Sequence, residues 1–383
     1  MQGINLTSVV NAYDDGKSTG EIRRFFGMLG PSDIRKVQEL MLPEADLDHE
    51  ASLGLFRYRY PADCERQAVL EDLGAFAAGA SDAIVGLNFS SAKIRAALRL
   101  FVRQFLDGLA VSEKALGSEL SFADCSLMNC LFAGAHLSFG RNFEVVTRYF
   151  NRLFKLKGTV LPTSIENKKL VALRENGEML FCEAEIVELR SNVRIERIYL
   201  LDDALDRLRF SGLTVDEKRY YLEKTHSFVA ASEGVKQALQ QADVIIYSAG
   251  TQHSSLYPTY LSCGIAATIA DNIRAFKVFV TNIGADYETP TYTASDYILG
   301  AYRYLGLPDS RNYSMEELFD VVLINRTRQK AEETYVDFDE AAFAAMPVRV
   351  VADDFESDAS PGKHDGRKVV DKLLRLYDEA TTP

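Results

Sequence analysis

Cysteine is sparse in this 383-residue chain: Cys64, Cys125, Cys130, Cys182 and Cys263 are odd in number and widely scattered. They form no CxxC pair and no Cys/His spacing of the zinc kind, which argues against a disulfide framework and a structural zinc site and leaves reduced core thiols as the reading. No run of about 18 apolar residues is present, and the N-terminus lacks the basic and apolar regions of a signal peptide, so a cytosolic protein without a membrane span is expected. Excess positive charge is also missing. The formal net charge is -12, which argues against general attraction to nucleic acid or to anionic membranes and requires any phosphate site to be local. There is no repeat of solenoid period and no sustained heptad.

What is present is the material of a globular protein: 47% of residues are hydrophobic and 26% charged, enough for a buried core. The length suits one α/β core with an inserted subdomain. Residues 5–13 (NLTSVVNAY) are a β-branched apolar run that ends at DDGKSTG, as a strand feeding a loop does. EIRRFFGML and GPSDIRKVQELML then have the apolar spacing and the Pro, Ser and Asp starts of two short helices. From about 66 to 155 apolar stripes recur at helical spacing, which predicts a helical insertion. KGTVLPTSIENKKLVALRENGEMLFCEAEIVE alternates β-rich runs with turn signals, and ENG at 175–177 is placed as a hairpin turn.

The second informative block is ALQQADVIIYSAGTQHSSLYPTYLSCGIAATIADN followed by KVFVTNIG. It reads as a βαβ unit of a parallel sheet, whose ligands bind beyond the strand carboxyl ends. The fold class expected is α/β: a Rossmann-like, mostly parallel sheet with a helical insertion and an antiparallel hairpin segment. Residues 1–60 and 156–350 would form the nucleotide-binding core and 61–155 the insertion. DDFESDASPGKHDGRK (353–368) reads as a mobile loop before a final amphipathic helix, within a tail of 351–383.

DDGKSTG offers two carboxylates, glycines, a lysine and hydroxyls suited to a metal bridging phosphates. It is not a Walker A motif, because AYDD stands where the P-loop needs its first glycine. A surface turn in which Asp and Gly serve only conformation accounts for the same residues. In AGTQHSS the small residues suit a phosphate cradle or a tight strand-to-helix turn, and His253 within it has the chemistry of an acid, base or ligand but reads as an ordinary surface histidine of a polar loop. Arg23, Arg24, Arg35 and Lys36 form a basic cluster beside the first loop, fit for phosphate or for plain helix-surface solvation.

VVNAYDDGKSTGEIRRFFGMLGPSDIRK resembles the pattern of the CofD-like transferases and their YvcK relatives: a strand ending in ADDGGSSG, a short Arg-bearing helix, then PGDIR. GTVLPTSIENKKLVALRENGEMLFCEAEI is similar to the family's VxPxT segment and hairpin. ADVIIYSAGTQHSSLYPTYL resembles its ADLIVxGPGSLYTSIxPNLL, and FVTNIGADYETPTYTASDYI stands in place of VxNxxTQxGET. CSLMNCLFAGAHLSFG is similar to the GNLxLA helix. The family's opening strand with a GGGTG-like loop is not matched in this sequence, which a truncated sequence or a reduced branch would equally explain; Lys17 in place of a glycine, SAGT in place of GPGS and GADYET in place of TQxGET suggest a divergent branch.

The resemblance implies a nucleotide diphosphate ligand in either branch. The transferase branch moves phospholactate from a nucleotide diphosphate ester onto a deazaflavin alcohol with Mg2+, whereas the YvcK branch binds a UDP-sugar and supports growth on gluconeogenic carbon sources. Carried over, Asp14 and Asp15 would be the catalytic and metal carboxylates, and Gly16, Lys17, Ser18 and Gly20 the phosphate loop. Ser32, Asp33, Arg35 and Asn129 would flank it. Gly250, Thr251, Ser254 and Ser255 would line the nucleotide side, with Asn282 and Thr289 closing the cleft. The partner implied is a nucleotide diphosphate ester or nucleotide sugar, with no nucleic acid and no membrane; a homo-oligomer is compatible with the sequence.

Overall fold

The computed structural model describes residues 3–326 and 334–382, without the side chain of Lys17. The chain divides into two compact units, Met1–Lys168 and Lys169–Pro383.

In the first unit the β-branched run forms β1 (Thr7–Val10), parallel to β2 (Thr159–Pro162) with Thr7 opposite Thr159 and Val10 opposite Pro162. Helix α1 (Lys17–Phe26) follows the DDG turn and ends at Gly27 in the left-handed region, a C-cap that glycine adopts without steric cost. Then come α2 (Ser32–Leu40) and α3 (His49–Arg57). The stretch read as helical carries α4 (Arg66–Ala78), α5 (Ala92–Leu116), α6 (Leu127–Ser138) and α7 (Phe143–Leu153).

The length of α5 follows from its ends and its stripe. Ser91 Oγ accepts the N–H of Ile94, Gly117 closes the helix, and Ile94, Leu98, Phe101, Phe105 and Leu109 recur along one buried face. Its neighbour α6 is buried over its first ten residues. The two approach so closely at Gly134 that a Cβ there would lie 1.8 Å from the carbonyl oxygen of Phe101. This crossing fixes where α6 begins, and with it Asn129.

In the second unit β3 (Lys169–Arg174) pairs antiparallel with β4 (Met179–Leu180) and with β5 (Ile195–Leu201). The expected turn at 175–177 is present, with Gly177 at φ 83°. The βαβ reading also holds: β6 (Val244–Tyr247), β7 (Phe276–Val280), β8 (Val321–Asn325) and β9 (Arg349–Asp353) form a four-stranded parallel sheet in that order. β7 is buried throughout, as a strand covered on both faces must be. β6, at the edge, exposes Ile246. The terminal helix Gly366–Thr381 seals one face with Leu373 and Leu376 against Val278, Val280, Val321 and Leu323.

Residues 353–368 differ from the loop expected. They contain the end of β9 and a hairpin of β10 (Glu356–Ser357) and β11 (Ser360–His364). The buried Glu356 carboxylate organises it by accepting the N–H of Gly362 at 2.6 Å and the hydroxyl of Tyr335 at 2.8 Å. A polar, Gly/Pro-containing composition cannot reveal such a partner.

Candidate functional site

In the first unit the chain leaves β1 through Asn11, Ala12 and Tyr13, all buried, and turns at Asp14. The turn is closed locally: Asp14 Oδ1 accepts the N–H of Gly16 at 3.0 Å. Two glycines let other segments lie against it. A Cβ on Gly20 would stand 2.3 Å from the carbonyl oxygen of Asp15, and one on Gly30 2.2 Å from that of Asp14, distances no methyl group tolerates. The N–H of Gly30 donates to the carbonyl of Ala12 at 2.8 Å.

Arg23 braces this turn from beneath. It is 2% exposed, donates from Nη1 to the carbonyls of Tyr13 (2.7 Å) and Asp14 (3.3 Å), and donates from Nη2 to Asn167 Oδ1 (2.8 Å) and the Lys168 carbonyl (2.6 Å). Arg35 is buried as well, with Nη1 donating to the Phe56 carbonyl at 2.5 Å; burial lowers its guanidinium pKa. Asp33 is raised by burial, opposed by Lys36 at 3.1 Å. Arg24 lies outside, paired with Glu21.

Three helix starts meet at Thr19. Its Oγ1 lies 2.5 Å from Ser32 Oγ, the first residue of α2, and accepts from Asn129 Nδ2, in the first turn of α6, at 3.4 Å. Ser18, in the first turn of α1, is buried. None of α1, α2 and α6 has a side-chain N-cap hydrogen bond. Their first turns therefore concentrate partial positive charge and N–H groups around one point, the arrangement that receives anions. Asn129 is fully buried, and its Oδ1 has no hydrogen-bond partner among the described residues. An orphaned acceptor there suits a metal-bound water or a ligand hydroxyl. Lys17 opens α1; its side chain lies outside the description.

The oxygen donors of Asp14 and Asp15 fit a Mg2+ ion, which takes one or two carboxylates and completes its shell with water and phosphate oxygens. Among the described residues no group of three or more His, Cys, Asp or Glu side chains forms a metal cage. Cys125 and Cys130, both buried, lie with Sγ atoms 3.9 Å apart, and neither they nor Cys64, Cys182 and Cys263 form a disulfide among the described residues.

In the second unit the loop after β6 runs through Gly250 into a π-helical turn, Gln252–Leu256, and on into the helix Tyr257–Tyr260. Asn282, just beyond β7, holds Gly250 from both sides. Ser254 Oγ contacts Thr251 Oγ1 at 3.0 Å, and Thr251 Oγ1 contacts Ser255 Oγ at 2.8 Å. Thr289 is buried with its hydroxyl 2.8 Å from Tyr297.

The sequence did not reveal Glu288. Only 2% exposed, it receives the N–H groups of His253 and Ser254 on Oε2, each at 2.9 Å, and the Ser254 hydroxyl on Oε1 at 2.5 Å. Burial raises its carboxyl to about 7, against the lowering effect of Ser254. His253 is not a surface residue: it is 1% exposed, lies edge-on to Tyr257, and is driven by burial down to about 3, so it is neutral. Thirty-four residues separate Ser254 from Glu288 in sequence, and no local signal joins them.

A cavity of about 160 Å3 lies at the carboxyl ends of β7 and β8, lined by residues including Asn282, Asn325, Arg326, Tyr335 and Asp337. It is smaller than the roughly 300 Å3 at which small-molecule pockets begin, room for one ring of a ligand.

Comparison with known proteins agrees with this architecture. Residues 2–356 match the family described as 2-phospho-L-lactate transferase CofD. A provisionally named gluconeogenesis factor of Thermotoga maritima is 27% identical over 80% of this chain and 93% of its own. The gluconeogenesis factors of Halalkalibacterium halodurans and Bacillus subtilis are each 23% identical, covering 97% and 98% of this chain and 88% and 92% of theirs. A crystal structure of a UPF0052 family member from Bacillus halodurans superposes with a TM-score of 0.65 at 20% identity, over 97% of this chain and 92% of that one. That likeness establishes the fold. No helix among the described residues is long and apolar enough to cross a membrane.

Proposed function

This chain belongs to the CofD family, and from that premise we propose that it binds a nucleotide diphosphate ligand whose phosphates lie at the Asp14–Gly20 loop. The observation that carries the proposal is the meeting of three uncapped helix starts around Thr19, a donor-rich point in an acidic protein. Gly16, Ser18 and Gly20 would give the phosphates a close backbone, and Asn129 Oδ1 an acceptor for a ligand hydroxyl or a bound water. Asp14 and Asp15 would hold Mg2+, which when bound neutralises the diphosphate.

The activity proposed is transfer of a phosphoryl-linked group from a nucleotide diphosphate ester to a hydroxyl acceptor, as in 2-phospho-L-lactate transferase: the acceptor oxygen would bond to the distal phosphorus as the phosphoanhydride bond breaks and the nucleoside monophosphate leaves. Asp15 would orient the acceptor hydroxyl and take its proton, the role a carboxylate has in phosphoryl transfer. A second reading is a non-catalytic regulator that binds a nucleotide sugar. The relatives named gluconeogenesis factors, matched over most of their length, favour it. The protein would act in the cytoplasm in either case.

A thermal-shift screen with GDP, UDP, UDP-sugars and ADP, each with and without magnesium, tests the binding. A magnesium-dependent rise with one nucleotide is expected, because a ligand at 100 times its Kd adds about 2.7 kcal/mol to stability. Asp14→Asn and Asp15→Asn should lose it. Folded wild-type protein that responds to none of these ligands sinks the proposal. Turnover of the responding ligand with a hydroxyl acceptor separates the transferase from the regulator.

A further inference from the structure

Cys125 and Cys130 occupy paired positions at the start of α6. Ser126 is the N-cap residue of that helix, so Cys125 stands just ahead of the cap and Cys130 is the fourth helical residue, the two positions at which apolar side chains staple a helix start. Here the staple is made of sulfur. The Sγ atoms are in contact at 3.9 Å, and they enclose Ser126–Asn129, the turn whose Asn129 meets Thr19.

The pair is buried, yet it lies close to the surface along the chain. Ala123 is exposed and Asp124 half-buried, Asp124 turns through the left-handed region at φ 52°, and no side-chain hydrogen bond caps α6. A left-handed residue leading into an uncapped helix start opens locally at little cost, which gives a small oxidant its route. The two thiols also differ in character. The contact with Cys130 lowers the Cys125 thiol against the effect of burial, whereas burial pushes Cys130 up. Cys125 is therefore the sulfur that supplies a thiolate, and Cys130 holds its proton until it resolves.

We propose that Cys125 and Cys130 are a reversible thiol–disulfide couple, which a peroxide closes into a covalent staple at the start of α6. The Cys125 thiolate attacks one peroxide oxygen, the O–O bond breaks, and a sulfenic acid forms as hydroxide leaves and takes up the proton that Cys125 gave. The Cys130 sulfur then attacks the Cys125 sulfur, the S–O bond breaks, and the Cys130 proton departs with that oxygen as water. Two thiols and one hydrogen peroxide give one disulfide and two waters; the sulfurs lose two electrons and the peroxide gains them. The closed staple fastens the turn that carries Asn129. As a control on the candidate phosphate site the couple rests on the reading above, whereas the chemistry of the two sulfurs does not.

Hydrogen peroxide added to the folded full chain, at concentrations that leave its methionines unoxidised, tests the proposal by denaturation, alkylation and peptide mapping. Cys125 and Cys130 should be recovered in one linked product two hydrogens lighter than the dithiol. Their alkylation should fall at least tenfold and return with dithiothreitol, while Cys64, Cys182 and Cys263 remain open to alkylation. The linked protein should also melt above the reduced one, because closing a short loop restricts the unfolded chain. Treated protein in which both sulfurs still alkylate, in which Cys125 is oxidised without a link, or in which either pairs with another cysteine overturns the proposal. So does a link that lowers the melting temperature, the mark of damage rather than of a built couple. Reduced protein that shows no magnesium-dependent nucleotide shift counts against the phosphate reading alone, so the two ideas fail separately.

Discussion

Asn282 bridges the two peptide groups that flank the Gly250 Cα: its Oδ1 accepts the Gly250 N–H at 3.0 Å and its Nδ2 donates to the Gly250 carbonyl at 3.0 Å. One side chain at the end of β7 thereby positions the loop that leaves β6. Asn282→Leu keeps the volume and removes both bonds, and it should cost about 1–3 kcal/mol, chiefly by stranding the Gly250 N–H, since the Gly250 carbonyl still accepts from Gln252 Nε2 at 2.8 Å. Asn282→Asp, which keeps the acceptor alone, should fall between Asn282→Leu and wild type. Urea midpoints of the three proteins check the order.

Arg23 braces the Asp14 turn through two guanidinium nitrogens and four oxygen partners. Arg23→Met leaves those buried acceptors short of donors, and a loss of about 3 kcal/mol is expected. Arg23→Lys should recover little of it, because an ammonium cannot reproduce the planar fork. Denaturant unfolding of both variants is the measurement.

Glycine-to-alanine changes should split by position. Gly20→Ala and Gly30→Ala bring a methyl to within 2.3 and 2.2 Å of backbone oxygens, so both should lower Tm and abolish any nucleotide-dependent thermal shift. Gly74, inside α4, has nothing within 4 Å of an added Cβ, and Gly74→Ala should stabilise by about 0.5–1 kcal/mol through helix propensity.

Glu288 gives stability a pH signature. Its carboxyl titrates at about 7 in the fold, above its value in the unfolded chain, so the native state holds the extra proton between those pH values. Stability should therefore fall as pH rises from about 4.5 through 7, by about 3 kcal/mol at most from this group. Asp286, raised in the same direction by burial, adds to it. Glu288→Gln should flatten the curve of unfolding free energy against pH over this window; an unchanged slope would assign the titration elsewhere.

Several elements were legible in the sequence because they rest on short-range physics. The β-branched run before DDGKSTG, the α5 stripe at three- and four-residue spacing, the ENG turn and the apolar strands 244–247 and 276–280 each satisfy a local rule. Each is present in the fold. The hairpin at 356–364 was not legible, because its polar residues gain order from Glu356 reaching Gly362 and Tyr335.

The same division runs through the candidate site. By itself the sequence determined the α/β class, the family pattern and the position of the DDGKSTG turn, since periodicity and turn chemistry act over a few residues. Only the tertiary structure decided that Thr19, Ser32 and Asn129 meet and that Arg23 and Arg35 are buried braces. It also decided that His253 is a buried neutral ring and that Glu288 fills the anion seat beside Ser254. The reason is physical: a buried polar group must find its partner wherever packing brings one, and the distance between those partners along the chain carries no signature.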